Sequence, residues 1–275
     1  MPKSKWVIIW IVAVLMLSAC NSQAEELVLS VPETTQMLIQ SATEPTQEIV
    51  VLEEQPPETN VSETQLPTEP LLVLHSGLKE DGTFGEGTLF LGDSLTYMLV
   101  GSYLQVHDLI GEANYAAMCG SKVTAFFDDD FRMGCHKSLA SGYSEEFYGM
   151  TFQEVVDEMG EQATAVYMMW GTNYEPNATA QTYIELADYI LSTCPNATIH
   201  MQLIPYGNVP YTSVNKLVTE AFNYFQDKGE QRILLIDTYT AIGRYPVDGV
   251  HQGEGGNRRW YEAIVAHAEA NGLVQ

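Results

Sequence analysis

Five short apolar runs, separated by stretches with helical spacing, constrain the fold of this chain more than any other feature. Leu89–Leu91 stops at Gly92, Glu112–Cys119 at Gly120, Ala165–Trp170 at Gly171-Thr172-Asn173 and Thr198–Ile204 at Pro205; Ile233–Ile236 is the fifth. Runs this short and this continuously apolar read as strands buried on both faces. Leu95–Leu109 reads as a helix between the first two. Thr151-Phe152-Gln153-Glu154 is a capping box, followed by Val155, Val156 and Met159 on one helical face. Tyr183, Leu186, Ala187 and Ile190 make the next stripe. Val214, Leu217, Val218, Ala221, Phe222 and Phe225 make the cleanest one, and Arg258–Ala270 reads as a terminal helix. Ser121–Tyr148 keeps no period and reads as irregular. Strands alternating with helices imply an α/β fold. The expected architecture is a flavodoxin-like, three-layer α/β/α sandwich around a five-stranded parallel sheet. About 190 residues are ample for such a core.

Open parallel sheets bind ligands beyond the carboxyl ends of their strands, and the informative polar residues fall at just those ends. Ser94 follows the first strand in Gly92-Asp93-Ser94-Leu95, where a helix opens. A serine there projects its hydroxyl past the sheet, and its own N–H points the same way. Thr96 stands where a Gly-x-Ser-x-Gly elbow would have its second glycine, so this is not that motif. Gly120 follows the second strand and can present a bare N–H, and Asn173 follows the third and can offer an amide. Asp248-Gly249-Val250-His251 lies in the loop before the terminal helix. A D-x-x-H turn places a carboxylate where it orients the imidazole and the imidazole where it takes a proton from Ser94. The N–H groups of Ser94 and Gly120 and the Asn173 amide would then hold an oxyanion.

Outside this region the chain reads differently. Lys3 and Lys5 precede an apolar core, Trp6–Leu17, too short for a membrane span. The core ends in Leu17-Ser18-Ala19-Cys20, which resembles the lipobox of bacterial lipoproteins. That resemblance implies cleavage before Cys20, lipidation of Cys20 and tethering to the extracytoplasmic face of a bacterial membrane. Residues 21–80 read as an acidic linker. Asn21 to Leu78 holds ten glutamates, no lysine or arginine, and repeated Thr, Pro and Gln. Such a coil stays solvated and spans about 40 Å or more. Leu71-Leu72-Val73-Leu74 is a short apolar patch that could dock on the domain expected over residues 81–275. A net charge of −24 and a pI near 4.3 exclude nucleic acid as a partner, since its phosphates would be repelled.

Taken together, Gly92-Asp93-Ser94-Leu95, Gly120, Gly171-x-Asn173 and Asp248-x-x-His251 resemble the four ordered blocks of the GDSL/SGNH hydrolase family. The stretch from Glu254 to Trp260 resembles that family's C-terminal block. The resemblance implies Ser94 as nucleophile, His251 as base, Asp248 as its partner, and Ser94, Gly120 and Asn173 as oxyanion donors. It departs from the family in two places. Tyr174 stands where the third block usually has aspartate, so the positioning of Asn173 must be supplied differently. The second block is marked mainly by the place of Gly120 after a strand, with Gly111 and Gly134 as rivals.

The protein expected from these features is a monomeric, membrane-tethered serine esterase acting on short acyl esters, acetyl above all, of a carbohydrate. An acyltransferase with the same triad and an inert surface binding protein are the alternatives. No cofactor or metal is expected. Asp128-Asp129-Asp130 reads as a solvated loop, and Cys135-His136 has no second pair at metal-ligand spacing. His107, His200 and His267 read as packing or surface residues. Trp170, Tyr174 and Tyr206, near strand ends, either line a pocket or serve as core and rim aromatics. Cys119 and Cys135 flank the irregular stretch near Gly120, and both a bridge between them and free thiols fit an extracytoplasmic setting.

Overall fold

The computed structural model describes residues 72–134, 144–173, 175–207, 211–243 and 246–275. Five parallel strands form one sheet: β1 (Thr88–Gly92), β2 (Asn114–Ala117), β3 (Ala165–Met169), β4 (Thr198–Gln202) and β5 (Ile233–Ile236), in the order β2-β1-β3-β4-β5. That is the flavodoxin-like order, with the switch in direction beside β1. The helices are α1 (Ser94–Leu99), continued by a π-helical turn over Val100–Leu104, α2 (Phe152–Met159), α3 (Ala180–Thr193), α4 (Thr212–Asp227), α5 (Thr238–Ile242) and α6 (Glu254–Ala270).

Both faces of the sheet are covered, which is why its strands read as continuous apolar runs. Leu89, Leu91, Val166, Met168, Ile199 and Met201 pack with α2, α3 and α4 on one side. Phe90, Ala165, Tyr167 and Met169 pack with α1, α5 and α6 on the other. The capping box at Thr151 forms as expected, with Glu154 Oε2 accepting from the Thr151 N–H at 2.8 Å and Thr151 Oγ1 from the Glu154 N–H at 3.1 Å. Within the expected irregular stretch, Val123–Phe127 forms a 3-10 helix. His200 is fully buried and stacked on Tyr167 at 4.4 Å, while His267 meets it edge-on at 5.5 Å, so both serve packing.

One boundary needs correcting. The last residues assigned to the linker, 75–80, belong to the domain. Ser76 is buried and donates to the Leu273 carbonyl at 2.7 Å, and Tyr167 donates to the Ser76 carbonyl at 2.7 Å. Leu78 is buried and bridged to Phe84, and the Glu80 N–H donates to the Gln275 carbonyl at 2.8 Å. This strap is held by backbone and hydroxyl bonds more than by an apolar period, so a hydropathy reading passes over it. Residues 21–71, with the signal segment and Cys20, lie outside the described residues.

His200 makes stability depend on pH. Its Nε2 donates to the His75 carbonyl at 2.8 Å, and burial pushes the imidazole down to about 3. The unfolded chain takes up a proton near pH 6.5 that the folded chain refuses until about pH 3. Stability is therefore fully present above 6.5 and falls with pH across that window, by up to about 1.4 kcal/mol per pH unit. His200→Gln keeps a donor but does not titrate. Urea midpoints between pH 7 and 4 should fall less steeply in this variant than in the wild type. Equal slopes would contradict the assignment.

Candidate active site

β1 runs fully buried into Gly92, where the turn leaves no room for a side chain. A Cβ there would lie 2.1 Å from Thr96 Oγ1 and 2.3 Å from the Met169 carbonyl oxygen. Asp93 then caps α1, its Oδ1 accepting from the Leu95 N–H at 3.0 Å. Ser94 opens the helix and is only 6% exposed.

The sequence-expected base does reach it, across 157 residues of chain. His251 Nε2 lies 2.9 Å from Ser94 Oγ, and His251 Nδ1 lies 2.6 Å from Asp248 Oδ2. Asp248 Oδ1 also accepts from the backbone N–H groups of Val250 at 3.1 Å and His251 at 2.8 Å. One carboxylate thus holds both the turn and the ring. The hydrogen bond from the His251 ring, followed by that from its amide, draws the Asp248 carboxyl down to about 2. An ionised Asp248 fixes the proton on Nδ1 and leaves Nε2 free to accept from the Ser94 hydroxyl. The loop is closed by a bridge between Pro246 and Gln252 and by a 2.8 Å bond from the Val247 N–H to the His251 carbonyl. Buried Gln252 donates to the Tyr206 carbonyl at 3.2 Å, which ties this loop to the end of β4.

The three expected oxyanion donors come from three neighbouring strand ends. Gly120 follows β2 with φ 78°. Asn173 follows β3, and its Nδ2 donates to the Ser121 carbonyl at 2.8 Å, bringing it against the Gly120 turn. That nitrogen carries a second amide hydrogen. Ser121 is itself buried, and its hydroxyl accepts from Trp170 Nε1 at 3.1 Å. Trp170 is therefore a core residue bracing this turn, and Tyr206 is half-buried at the rim. Gly111 precedes β2, packed against the Phe84 backbone, at the far end of the strand from Ser94; Gly134 lies beyond the 3-10 helix. Tyr174 and Cys135 lie outside the described residues, and Cys119 and Cys194 carry free thiols. Among the described residues no three His, Cys, Asp or Glu side chains gather as a metal site.

Sequence reasoning assigned no role to Asp93, and its role is large. It is fully buried, and its Oδ2 accepts from the Gly171 N–H at 3.3 Å, the Thr172 N–H at 3.2 Å and the Thr172 hydroxyl at 2.6 Å. Burial raises its pKa, while these bonds and the one from Leu95 oppose the rise. Asp93 therefore clamps the serine turn to the turn that carries Asn173. With the Ser121 carbonyl, it supplies the positioning that Tyr174 cannot inherit from an aspartate. The available signal was its place between a buried strand and a helix, level with a Gly-Thr-Asn turn full of backbone donors.

No protein-family model and no curated protein matches the sequence. Among solved structures it is similar to a family two carbohydrate esterase from Clostridium thermocellum in complex with cellohexaose, at 14% identity and a TM-score of 0.47, over 67% of this chain and 63% of that one. It is also similar to a carbohydrate esterase family 3 structure from Talaromyces cellulolyticus, at 14% identity and a TM-score of 0.45, over 67% of this chain and 96% of that one. A third is a salicylyl-acyltransferase from a tetracycline biosynthetic pathway, at 10% identity and a TM-score of 0.47, over 70% of this chain and 56% of that one. This chain thus spans less than two thirds of the clostridial esterase's own length. Likenesses this remote say nothing of activity, and the chemistry is read from the site.

Proposed function

We propose that the chain is a serine esterase that removes short acyl groups, acetyl above all, from a carbohydrate on the extracytoplasmic side of a bacterial membrane, held there by a lipid on Cys20. The observation that carries the reaction class is the hydrogen-bonded series from Ser94 Oγ through the His251 ring to Asp248, at 2.9 Å and 2.6 Å. Ser94 Oγ attacks the ester carbonyl as its proton passes to His251 Nε2. The tetrahedral oxyanion is held by the N–H groups of Ser94 and Gly120 and by the Asn173 amide. Collapse breaks the bond to the alcohol, which leaves with the proton from His251. Water then attacks the acyl-serine by the same route, releasing the carboxylic acid and restoring Ser94. The acidic chain, at −24, favours a neutral glycan over anionic phospholipid or phosphate-rich polymers.

The test is hydrolysis of p-nitrophenyl acetate and release of acetate from an acetylated oligosaccharide in plain buffer. Acetate release without any added acceptor supports a hydrolase. Release only when an acceptor alcohol is supplied would make the chain a transferase.

Asn173→Ala should lower kcat on p-nitrophenyl acetate by about 10²–10³, the usual cost of one oxyanion donor. An unchanged kcat would remove Asn173 from the oxyanion site. For the anchor, Cys20→Ala should abolish incorporation of a fatty-acid analogue during growth, and equal labelling of variant and wild type would sink the lipid assignment.

A further inference from the structure

Asp248 orients the His251 ring from inside the same turn, so it cannot by itself place that turn over Ser94. The side chains that tie the turn to the sheet come after His251. Gln252, 1% exposed, sends its Nε2 to the Tyr206 carbonyl at 3.2 Å, just past β4. Asn257, 2% exposed near the start of α6, sends its Nδ2 to the Gln252 carbonyl at 3.4 Å. α6 is tied in turn to β4, where Gln202 Oε1 accepts from Trp260 Nε1 at 2.7 Å. Val250 also packs on the core, but apolar contact is non-directional and sets no register.

Both amides carry a cost that packing does not explain. With each nitrogen turned to a carbonyl, each oxygen is turned away from it. Neither Gln252 Oε1 nor Asn257 Oδ1 finds a hydrogen-bond partner among the described residues. A buried acceptor without a donor is destabilising. An apolar side chain of the same shape would lose one long hydrogen bond and relieve that cost, so stability gives no reason for an amide at either position. What only the amides supply is direction.

We propose that Gln252 and Asn257 are positioning residues that hold the His251 imidazole at Ser94 Oγ, an assignment that rests on the esterase reading above. Neither reaches the reacting atoms. The Gln252 side chain fixes residue 252 to the end of β4, and Asn257 fixes its carbonyl to α6, so the peptide leaving His251 is held from two sides. Ser94 is fixed separately, through Asp93, to the turn after β3. The 2.9 Å from His251 Nε2 to Ser94 Oγ thus depends on two independent anchorages. A displacement of about 1 Å in either costs on the order of 10²-fold in rate.

The experiment uses the full chain with Gln252→Met and Asn257→Leu, which keep the approximate shape of each side chain and remove its amide. For each variant, kcat and KM on p-nitrophenyl acetate, the rate of fluorophosphonate labelling and the urea midpoint are measured. Both should lose about tenfold or more in kcat and in labelling rate per folded molecule, with KM within about twofold of the wild type. The urea midpoint should stay close to that of the wild type or rise. A merely structural role lowers the midpoint and leaves the rate per folded molecule unchanged. If one variant fails to fold, the other decides. An active wild type whose kcat and labelling rate survive both substitutions would overturn the positioning assignment and leave the esterase standing. A wild type that neither turns over the ester nor takes the label would overturn the esterase reading, and this assignment with it.

Discussion

Ser94→Ala should remove nearly all ester hydrolysis, lowering kcat by several orders of magnitude, the scale of loss when a serine–histidine pair is broken. The expectation comes from the geometry, in which the Ser94 hydroxyl is the group His251 Nε2 reaches, at 2.9 Å. The fold should survive the change. The serine side chain is small, and the described hydrogen bond lost with its hydroxyl is the one to His251, itself held by Asp248 and by its own loop. Urea midpoints of variant and wild type should agree within the usual range for a minor substitution, while turnover of p-nitrophenyl acetate collapses. A variant keeping more than a tenth of wild-type turnover would remove Ser94 from the mechanism.

Asp93→Ala should have the largest effect on stability of any single change near the site. Four donors, the N–H groups of Leu95, Gly171 and Thr172 and the Thr172 hydroxyl, lose their partner at once in a fully buried position. One buried donor left unsatisfied costs about 1–3 kcal/mol, and the lost helix cap about 1 kcal/mol more. A loss of roughly 3 kcal/mol or more is expected, read as a lower urea midpoint at unchanged slope. Asp93→Asn keeps the shape but points an amide at groups that are themselves donors, so it should restore only part of the loss. In either variant that still folds, kcat should drop, because the turn carrying Asn173 is no longer tied to the turn carrying Ser94. An unchanged midpoint in Asp93→Ala would mean that the clamp is not what holds these strand ends together.

The architecture was legible because burial on both faces leaves a plain mark, a short apolar run stopped by a turn residue. β5 was placed residue for residue, and the third and fourth strands were extended by one or two residues into the turns that follow them. The expected first helix stops early at Leu99, giving way to the π-helical turn, and α6 begins at Glu254, four residues before the expected start at Arg258. Helix ends are set by caps and local hydrogen bonds, which spacing alone does not report. α5 was missed because five residues carry too little period to register.

The hydrogen-bonded grouping of Ser94, His251 and Asp248 was legible for a chemical reason. Serine at a strand end and a D-x-x-H turn in a late loop have few joint uses other than proton transfer. The supports of this grouping were hidden. Asp93 and Gln252 bond to backbone groups far off in sequence, at Thr172 and Tyr206, and the Ser121 carbonyl accepts from the distant Asn173 side-chain amide. Such partnerships leave no pattern along the chain, since they depend on which strands end side by side. The strap at Ser76 was missed for the same reason, its partners lying at Tyr167 and Leu273.

The most direct measurement of the central claim is the site at which a fluorophosphonate attaches. Such reagents are attacked by a serine oxygen that a neighbouring base has activated, and fluoride leaves as the covalent adduct forms. After incubation of the full chain near neutral pH and proteolysis, mass spectrometry should find one adduct, on the peptide containing Gly92-Asp93-Ser94-Leu95, with the added mass on Ser94. His251→Ala should slow its formation by orders of magnitude. No adduct on Ser94 in folded protein, or labelling that proceeds equally fast without His251, would contradict the account.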